Sequence, residues 1–468
     1  MLLRWMFFAA VLGTAQAQDP SRIDWRQIHQ ETMEHFQALV RIDTSDPPGN
    51  EKPAVEYLKK VLEREGIPTQ TFSIDERRPN LVARIRGSGK KRPILIMGHT
   101  DVVGVQAEKW TFPPFGAARN GGYVYGRGTV DDKDNLTACL MIMLLLKRLN
   151  VTLDRDVIFL AEAGEEGSVR YGILHMVDKH FDQIDAEYCL AEGGGAIRIG
   201  GKLKWVSVAT SEKIPYAVRL VSRGPAGHGS RPLKTNAILH LSQAVEKAAN
   251  WMPPMRLNDT TRAYFERLAT ISTPEEAARY NGLLNPEKTA AIQQYLADNE
   301  PGHNSMLRTS ISPNMIKGGF RVNVIPSEAE ATLDIRALPD ENVPAFVDQL
   351  QKVINDPAVE IVRTARDTRP PATPSRLDTE AFKAIDQARS RHYREAITLP
   401  TMLTGASDMA YLRSKGIQCY GIGSMVDQED GPKGFGAHSD QERILESALY
   451  KFVEFHWDIV WNLARAAQ

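Results

Sequence analysis

Residues 93–103, PILIMGHTDVV, are the stretch of sequence that decides the fold. An apolar run of four residues ends at Gly98, which is typical of a short strand buried in a covered sheet. His99 and Asp101 follow at once, and ligands of open α/β sheets bind beyond the carboxyl ends of the strands. Both side chains project from the same side of an extended chain, so the carboxylate can orient an imidazole that binds a metal. A histidine in a turn after a core strand is the alternative.

Acidic residues follow two more strand-like runs. Residues 156–161 (DVIFLA) precede Glu165 and Glu166, and residues 188–191 (YCLA) precede Glu192. Adjacent glutamates can point in different directions, so one can bind a metal while the other transfers protons, as metal-assisted hydrolysis requires. A solvated acidic loop is the alternative for the glutamates that follow residues 156–161. Three successive strand ends with His, Asp or Glu nevertheless favour one shared site.

A glycine-bounded turn and a histidine near the C terminus add further candidates. Residues 121–134 (GGYVYGRGTVDDKD) place Asp131 and Asp132 before a predicted helix, where either the helix dipole or a bound cation explains them. The G-x-G spacing in this turn does not predict a dinucleotide site, because the third glycine is missing and aspartates stand where a pyrophosphate would bind. His438, in the sequence GAHSDQE, is the natural second imidazole of the same site.

Composition and the N terminus limit the classes of function. A chain of 468 residues suits two or three domains, and a formal net charge of -1 gives no electrostatic basis for binding nucleic acid or an anionic membrane surface. Residues 1–17 have the pattern of a secretory signal peptide, so we expect an exported protein, periplasmic or extracellular, that is not held at a membrane after cleavage. The three cysteines are expected to be buried free thiols.

Alternating strand and helix patterns predict an α/β fold with an inserted second domain. We predict a three-layer catalytic domain with a mixed, mostly parallel sheet, formed by residues 18–212 and 368–468. Residues 213–367 have the order β-α-β-β-α-β, which is typical of a two-layer α+β (ferredoxin-like) domain. Residues 252–307 are an irregular, mostly helical insertion within it.

Seven motifs carry a resemblance to a known family. They are GHTDVV (98–103), YGRGTVDDKD (125–134), EAGEEGS (162–168), LAEGGG (190–195), GPAGHGSRP (224–232), NVIPSEAEATLDIR (323–336) and FGAHSDQE (435–442). With these motifs the chain resembles the M20 family of zinc peptidases and amidohydrolases, which includes aminoacylases, carnosine-type dipeptidases and succinyl-diaminopimelate desuccinylase. The motifs occur in family order from about residue 94 to 442, so the resemblance covers both predicted domains.

The resemblance implies a centre of two Zn²⁺ ions, with Co²⁺ or Mn²⁺ as replacements for one or both. The implied ligands are His99 and Glu192 for one ion, Glu166 and His438 for the other, and Asp131 as the bridge, joined to Asp132 by a cis peptide bond. In this scheme Asp101 orients His99, and Glu165 is the general base and acid of the hydrolysis.

The resemblance also implies that the inserted domain is a lid and dimerisation domain. His228 would stabilise the oxyanion, often at the partner subunit's site in dimeric members. Arg336 would bind a substrate carboxylate with its fork of donors, and a strand-surface arginine is the alternative. Asn323 and Gly405 match positions that line the substrate pocket. The insertion at 252–307 is longer than in compact dimeric members and would occupy their interface, so both a homodimer and a monomer stay open.

The sequence therefore predicts an exported di-zinc hydrolase that cleaves an amide bond next to a free carboxylate. Small peptides and N-acyl amino acids are the two substrate classes. Export favours an exopeptidase or dipeptidase, while the insertion favours an aminoacylase-like amidohydrolase. A non-catalytic binding protein on the same fold is a further alternative. It predicts losses among the metal ligands or the general base, yet all six of these residues are present.

Overall fold

The computed structural model describes residues 23–364 and 369–466. The predicted signal peptide, residues 1–17, lies outside these ranges. Within them, no helix combines the length and the apolar character needed to cross a bilayer. The three cysteines, Cys139, Cys189 and Cys419, are buried free thiols, as predicted.

The helices and strands fall into three stretches of chain. Before residue 213 they are α1 (Trp25–Val40), β1 (Ser45–Asp46), α2 (Lys52–Arg64), β2 (Thr69–Phe72), β3 (Asn80–Ile85), β4 (Ile94–His99), β5 (Val102–Val103), β6 (Ala118–Asn120), β7 (Tyr123–Tyr125), α3 (Lys133–Arg148), β8 (Val157–Glu162), α4 (Ile173–Lys179), α5 (Phe181–Ile184), β9 (Tyr188–Ala191), β10 (Gly195–Ile199) and β11 (Lys202–Glu212). The middle stretch contains β12 (Ile214–Arg223), β13 (Gly227–His228), α6 (Ala237–Asn250), α7 (Asp259–Ala269), α8 (Pro274–Asn281), α9 (Thr289–Asn299), α10 (Pro301–Met306), β14 (Ser310–Gly318), β15 (Val324–Ile325), β16 (Glu328–Ala337), α11 (Val343–Ile354) and β17 (Val359–Arg363). The last stretch contains α12 (Glu380–His392), β18 (Ile397–Leu403), α13 (Met409–Ser414), β19 (Gln418–Gly421), β20 (Val426–Asp427), β21 (Arg443–Leu445) and α14 (Glu446–Ala464).

The larger sheet has ten strands in the order β2-β3-β8-β4-β9-β19-β11-β10-β20, with β18 paired to β11. At its centre β8, β4, β9 and β19 run parallel to one another. Antiparallel pairs join β2 to β3 and β3 to β8 on one side, and β11 to β19 and β10 on the other. The predicted mixed, mostly parallel sheet is confirmed.

Strand β4 shows why the sheet lies between two layers of helices. Ile94 and Ile96 pack into a core with residues of α1, α2, α3, α12 and α14. Leu95 and Met97 point the other way, into a core with residues of α4, α5 and α13. A strand that is covered on both faces is expected to be apolar along its length, as Ile94 to Met97 are. The predicted three-layer arrangement is confirmed.

The second sheet is antiparallel and has the order β14-β16-β12-β17. Helices α6 and α11 share a core with it, so the chain order β12-α6-β14-β16-α11-β17 is the predicted two-layer α+β unit. Helices α7 to α10, from the 252–307 insertion, pack instead with Leu399 and Met402 of β18 in the larger sheet. The domain boundaries themselves stay a prediction.

Two long strands show where the sequence pattern and the structure differ. The pattern of apolar residues predicts a strand over residues 315–324, but β14 covers Ser310–Gly318, because the chain turns at Gly319, whose φ of 72° lies in the left-handed region that favours glycine. The long strand β11 escaped prediction because polar residues interrupt its apolar pattern. Thr210 and Ser211 are nevertheless buried in it.

Candidate active site

Five side chains converge beyond the carboxyl ends of the parallel strands. Asp131 lies between two histidines, with its Oδ1 3.0 Å from His99 Nε2 and its Oδ2 3.0 Å from His438 Nε2. Glu166 Oε1 is 2.8 Å from His438 Nε2, and Glu192 Oε2 is 3.9 Å from His99 Nε2. Each histidine thus has one carboxylate of its own and shares Asp131 with the other. This is the grouping that the sequence predicts for two metal ions with a bridging aspartate.

A buried glutamate holds the turn that carries Asp131. The Glu442 carboxylate accepts hydrogen bonds from Arg127 Nη1 (2.6 Å), Gly128 N (3.1 Å) and Val130 N (2.9 Å). Both members of the Arg127–Glu442 ion pair are buried, and burial raises the pKa of Glu442 to about 7. Because Glu442 follows His438 by four residues, one carboxylate joins the two segments that carry these ligands.

The second aspartate of the turn fixes the end of strand β4. The peptide bond between Asp131 and Asp132 is cis, as the family resemblance implies. Asp132 Oδ2 accepts a hydrogen bond from the main-chain N–H of His99 (3.2 Å). A side chain on Gly98 would place its Cβ 2.8 Å from this oxygen, so the close approach needs glycine. Gly98 in the motif GHTDVV is thereby explained.

Asp101 contacts both His99 and the loop after β8 that carries Glu165 and Glu166, here called the glutamate loop. The main-chain carbonyl of Asp101 lies 2.9 Å from His99 Nδ1, and its carboxylate Oδ1 lies 3.6 Å from the same nitrogen. The carboxylate also accepts hydrogen bonds from the main-chain N–H groups of Gly164, Glu165 and Glu166, at 2.9, 3.2 and 3.0 Å. If Nδ1 carries the proton, Nε2 is left with the lone pair that a metal requires. Asp101 therefore orients the imidazole chiefly through its carbonyl.

Negative charge exceeds positive charge in this cluster. Burial, and after it the Asp408 carboxylate, raise the pKa of Glu165 to about 8. Burial and the neighbouring Glu165 raise the pKa of Glu192 well above its ordinary value. Hydrogen bonds to Asp131 and Glu166 raise the pKa of His438 to about 10. Crowded carboxylates next to imidazoles are the donor set that Zn²⁺ and related divalent cations prefer, so the residues fit the implied metal ions.

Glu165 lies close enough to His99 to belong to the metal-binding group. Ligand atoms of His99, Glu165 and Glu192 lie within 4.8 Å of one another, as do those of His99, Asp131 and Glu166. Distance alone does not separate a ligand from a proton-transferring base. The role of Glu165 as the base therefore stays a prediction from the resemblance.

A third acidic group beside the site needs no metal. Asp46, Glu51 and Asp101 also bring carboxylate oxygens within 4.8 Å of one another. Arg78 Nη2, however, lies 2.5 Å from both Asp46 Oδ2 and Glu51 Oε1. The Arg78 guanidinium supplies the positive charge that these carboxylates need. The group is therefore an ion-pair network next to the glutamate loop.

Three predicted site residues lie in the middle stretch of the chain: Arg336 in β16 of the smaller sheet, His228 in β13, and Asn323 in the turn before β15. The His228 ring is 2.7 Å from Ser230 Oγ, the Arg336 guanidinium donates to Asp334, and the Asn323 carbonyl accepts from Gly229 N. Within residues 23–364 and 369–466, no hydrogen bond or ion pair joins the three to the five-residue cluster. Gly405 lies in an exposed loop that continues into Ser407 and Asp408, beside Glu165. The roles proposed for these four residues stay predictions.

Sequence reasoning missed residues that support the site. Arg127 and Glu442 stand within the quoted motifs YGRGTVDDKD and FGAHSDQE, but nothing in either motif indicates that the two side chains pair. Arg369, whose Nη2 lies 2.5 Å from Glu165 Oε1, gave no signal. It stands in the proline-rich segment that the sequence indicates only as a return linker.

An apolar cavity of about 500 Å³ opens beside the cluster. Val130 and Ala437, which precede Asp131 and His438, belong to its wall. The wall also includes these aromatic and aliphatic residues: Tyr123, Ile197, Trp205, Tyr264, Met425 and Phe435. Its arginines are paired, Arg198 with Asp427 and Arg443 with Asp430. Tyr264 belongs to α7, so the 252–307 insertion supplies part of the wall.

Comparison with known proteins places these features in one family. The model of peptidase family M20/M25/M40 matches residues 95–462. A probable carboxypeptidase S-like 2 of Dictyostelium discoideum is 26% identical over 379 residues, which are 79% of this chain and 72% of the relative. The N-fatty-acyl-amino acid synthase/hydrolase PM20D1 of Xenopus tropicalis is 28% identical over 381 residues, with the same shares of 79% and 72%. The crystal structure of an M20 family metallo-carboxypeptidase, Sso-CP2 from Sulfolobus solfataricus, has a TM-score of 0.70 at 20% identity and covers 92% of this chain and 98% of its own.

Proposed function

The chain belongs to peptidase family M20/M25/M40, as its seven motifs predicted, and from that premise we propose that it cleaves an amide bond next to a free carboxylate, as an exopeptidase or dipeptidase. The observation that carries this proposal is Asp131 between His99 and His438, at 3.0 Å from each, with Glu165 alongside. It is a metallohydrolase of that family, and the finer activity is the proposal.

We propose two Zn²⁺ ions as the cofactor, with Co²⁺ or Mn²⁺ able to replace either. His99 and Glu192 would hold one ion, His438 and Glu166 the other, and Asp131 both. When bound, two such ions polarise the scissile carbonyl and lower the pKa of the attacking water.

The protein's own groups then handle the proton. Glu165 accepts the proton that the water loses as its oxygen bonds to the carbonyl carbon. When the C–N bond breaks, Glu165 returns that proton to the leaving nitrogen, so the products are a carboxylic acid and an amine, which become carboxylate and ammonium when the acid's proton passes to the amine. Burial raises the pKa of the Glu165 carboxylate above its ordinary value, which favours a group that first accepts and then returns a proton. Asp101 keeps the loop of Glu165 in place through its three main-chain hydrogen bonds.

Recognition of the substrate is assigned to residues of the middle stretch of the chain and to the loop of Gly405. Arg336 is the proposed partner of the substrate carboxylate, and His228 the proposed donor to the oxyanion. Asn323 and Gly405 are proposed to line the pocket. A homodimer that brings His228 to a second copy's site is supported by apolar residues exposed at and beyond the β14 edge: Met315, Ile316, Phe320 and Val322.

N-acyl amino acids are the second candidate substrates, and the apolar cavity favours them. A space of about 500 Å³ walled by aromatic and aliphatic side chains suits an acyl chain better than the polar backbone of a peptide. The relative from Xenopus tropicalis is named for N-fatty-acyl amino acids. In this candidate the chemistry is unchanged and the cavity holds the acyl group.

A panel of substrates tests both candidates with one protein preparation. Zinc-reconstituted protein is assayed on dipeptides and on N-acyl amino acids of increasing chain length, each with a C-terminally amidated control. We expect hydrolysis of free acids and little hydrolysis of the amidated controls. Equal cleavage of the controls would remove the role of Arg336. A rate that rises with acyl length would favour the second candidate over the first.

Export is also a proposal, and it is supported by residues 1–17 alone. Expression of the full-length chain, followed by N-terminal sequencing of the protein outside the inner membrane or in the medium, tests it. A mature N terminus at Gln18 is expected. Full-length protein that stays in the cytoplasm would contradict export.

A further inference from the structure

We propose that Arg369 is a positioning residue, which holds Glu165 in the orientation that the proposed hydrolysis needs. This inference rests on the proposed function, and it concerns a residue to which neither the seven motifs nor the family resemblance gives a role. Its basis is the set of contacts that Arg369 makes with Glu165 and with the loop of Gly405.

Arg369 joins Glu165 to a neighbouring loop. Its Nη2 donates to Glu165 Oε1 at 2.5 Å and lies 3.4 Å from Asp408 Oδ1. Its Nε donates to the Ser407 carbonyl at 3.0 Å. Hydrogen bonds from Nε and Nη2 thus fix the plane of the guanidinium. Its position in turn determines where one oxygen of Glu165 lies.

The surroundings of Arg369 are strongly acidic. Asp408 is buried, and its Oδ2 has no hydrogen-bond partner within residues 23–364 and 369–466. Glu162, at the end of β8, is also buried with a carboxylate oxygen that lacks a partner in the same ranges. Without the guanidinium, Glu165 would face these carboxylates with no fixed cation, and repulsion would turn its side chain away.

The contacts extend to both connections between the two sheets. Ser407 donates from its main-chain N–H and its hydroxyl to Glu212 Oε2, both at 2.6 Å, and Arg413 Nη1 donates to Glu212 Oε1 at 2.6 Å. Glu212 is the last residue of β11, just before the chain enters β12 of the smaller sheet. Arg369 lies where the chain returns from β17. The proposed base is therefore linked, through one arginine and one loop, to both passages of chain between the sheets.

A double-mutant cycle with Glu165 tests the inference. Arg369→Met and Arg369→Lys are each made in the wild-type chain and in Glu165→Asp, which shortens the base by one methylene group and so removes the contact. In the wild-type chain we expect Arg369→Met to lower kcat about 100-fold, with KM changed much less, because proton transfer by a positioned group contributes at least about that factor. In Glu165→Asp the same substitution should lower kcat less than about threefold, since residues that act as one unit are not additive. Arg369→Lys should keep an intermediate kcat.

A neighbouring arginine serves as the matched control. Arg376 pairs with Asp378 at the surface seven residues further on, so Arg376→Met should leave kcat and KM unchanged. The zinc content of the Arg369 variants should equal that of wild type, which a role in metal binding would not allow. Arg369→Met should lower the melting temperature, because it leaves the buried carboxylates of Glu165 and Asp408 without their cation, so kcat is measured well below the unfolding transition. If Arg369→Met does not fold, the cycle is decided with Arg369→Lys.

Two results would overturn the inference. Equal losses of kcat in the wild-type and Glu165→Asp chains would mean that Arg369 acts without Glu165. An unchanged kcat in Arg369→Met would mean that it does not act at all. Either result, obtained with an active wild-type chain, leaves the proposed function standing. A zinc-loaded wild-type chain that hydrolyses no member of the substrate panel would instead overturn the proposed function and this inference together.

Discussion

The two ends of strand β8 present the same type of side chain in opposite circumstances. Asp156, which precedes the strand, accepts hydrogen bonds from Arg84 Nη1 (3.1 Å), Arg86 Nη1 (3.0 Å) and Gly87 N (2.8 Å). Glu162, at the far end, has a carboxylate oxygen with no partner within the described residues. Both carboxylates are buried. The start of the strand is thus neutralised by arginine, while the far end is not.

The difference separates a structural carboxylate from a functional one. A buried charge is tolerated when it is paired and hydrogen-bonded, and Asp156 meets that condition with protein groups alone. Beyond the far end of the strand, Asp131, Glu166 and Glu192 gather around two histidines, with no arginine or lysine among their ion pairs within the described residues. Protonation or bound cations relieve such a surplus, and the grouping of carboxylates around two histidines is the donor set that the proposed metal ions require.

The largest effect on activity is expected when a carboxylate beyond the far end of β8 is replaced. Glu166→Gln should lower kcat/KM by about 10³-fold or more, since a metal ion contributes several kcal/mol to the transition state. Asp156→Asn, the matched change at the other end, should leave kcat/KM within about twofold and lower stability by about 1–3 kcal/mol. Steady-state kinetics and thermal unfolding measure the two effects. Equal losses of activity in both variants would remove the distinction between the ends.

The next effect concerns the buried pair that holds the turn of Asp131. Glu442→Gln removes the charge that Arg127 pairs with, and loss of such supporting partners typically lowers metal affinity by 10–100-fold. Competition with a chelator, followed by zinc analysis, measures the affinity. Asp156→Asn again provides the control, with unchanged affinity. A Glu442→Gln protein that binds zinc as tightly as wild type would show that the turn is held without this carboxylate.

Replacement of His456, a buried histidine outside the metal-binding cluster, should affect only the stability of the protein. Burial lowers the pKa of His456 on α14 to about 3, and neither ring nitrogen has a partner within the described residues. Neutral imidazole is favoured in the folded state, so its contribution is complete above the unfolded pKa of about 6.5 and is lost as pH falls toward 3. Between pH 8 and pH 5, the free energy of unfolding of wild type should fall by about 2 kcal/mol more than that of His456→Leu.

Denaturant unfolding in the presence of a chelator measures this difference without interference from bound metal. Phe452→Leu, a buried substitution on the same helix that removes no titratable group, should follow the wild-type pH dependence. Parallel curves for wild type and His456→Leu would contradict a depressed pKa at this site.

The smallest effect is expected in the apolar cavity. Ile197→Asp places a carboxylate in its wall and should lower hydrolysis of long-chain N-acyl amino acids about tenfold relative to a short dipeptide, because several buried CH₂ groups lose their apolar contact. Ile74→Asp, at a position that is 54% exposed, should leave the hydrolysis of both substrates unchanged. An Ile197→Asp protein with unaltered chain-length preference would exclude the cavity as an acyl site.

The local chemistry of the site could be predicted from the sequence. An apolar run followed by His99, and similar runs followed by Glu166 and Glu192, place ligands at strand ends because parallel strands align their carboxyl ends on one edge. The two-sheet architecture followed from the same alternation of strands and helices.

The supporting contacts could not be predicted, because they join residues far apart in the chain. Arg369 meets Glu165 across 204 positions, and Arg127 meets Glu442 across 315. No local pattern encodes such pairings. The strand β11 was missed for a different reason, since buried Thr210 and Ser211 conceal its apolar character.

The zinc content of three proteins tests the central claim most directly. Wild type, Glu166→Gln and Asp156→Asn are stripped with a chelator, reconstituted with excess Zn²⁺, freed of unbound metal and analysed by elemental spectrometry. The account predicts about two Zn²⁺ per chain in wild type and in Asp156→Asn, and about one or fewer in Glu166→Gln. Equal zinc content in all three proteins, or none in wild type, would contradict it.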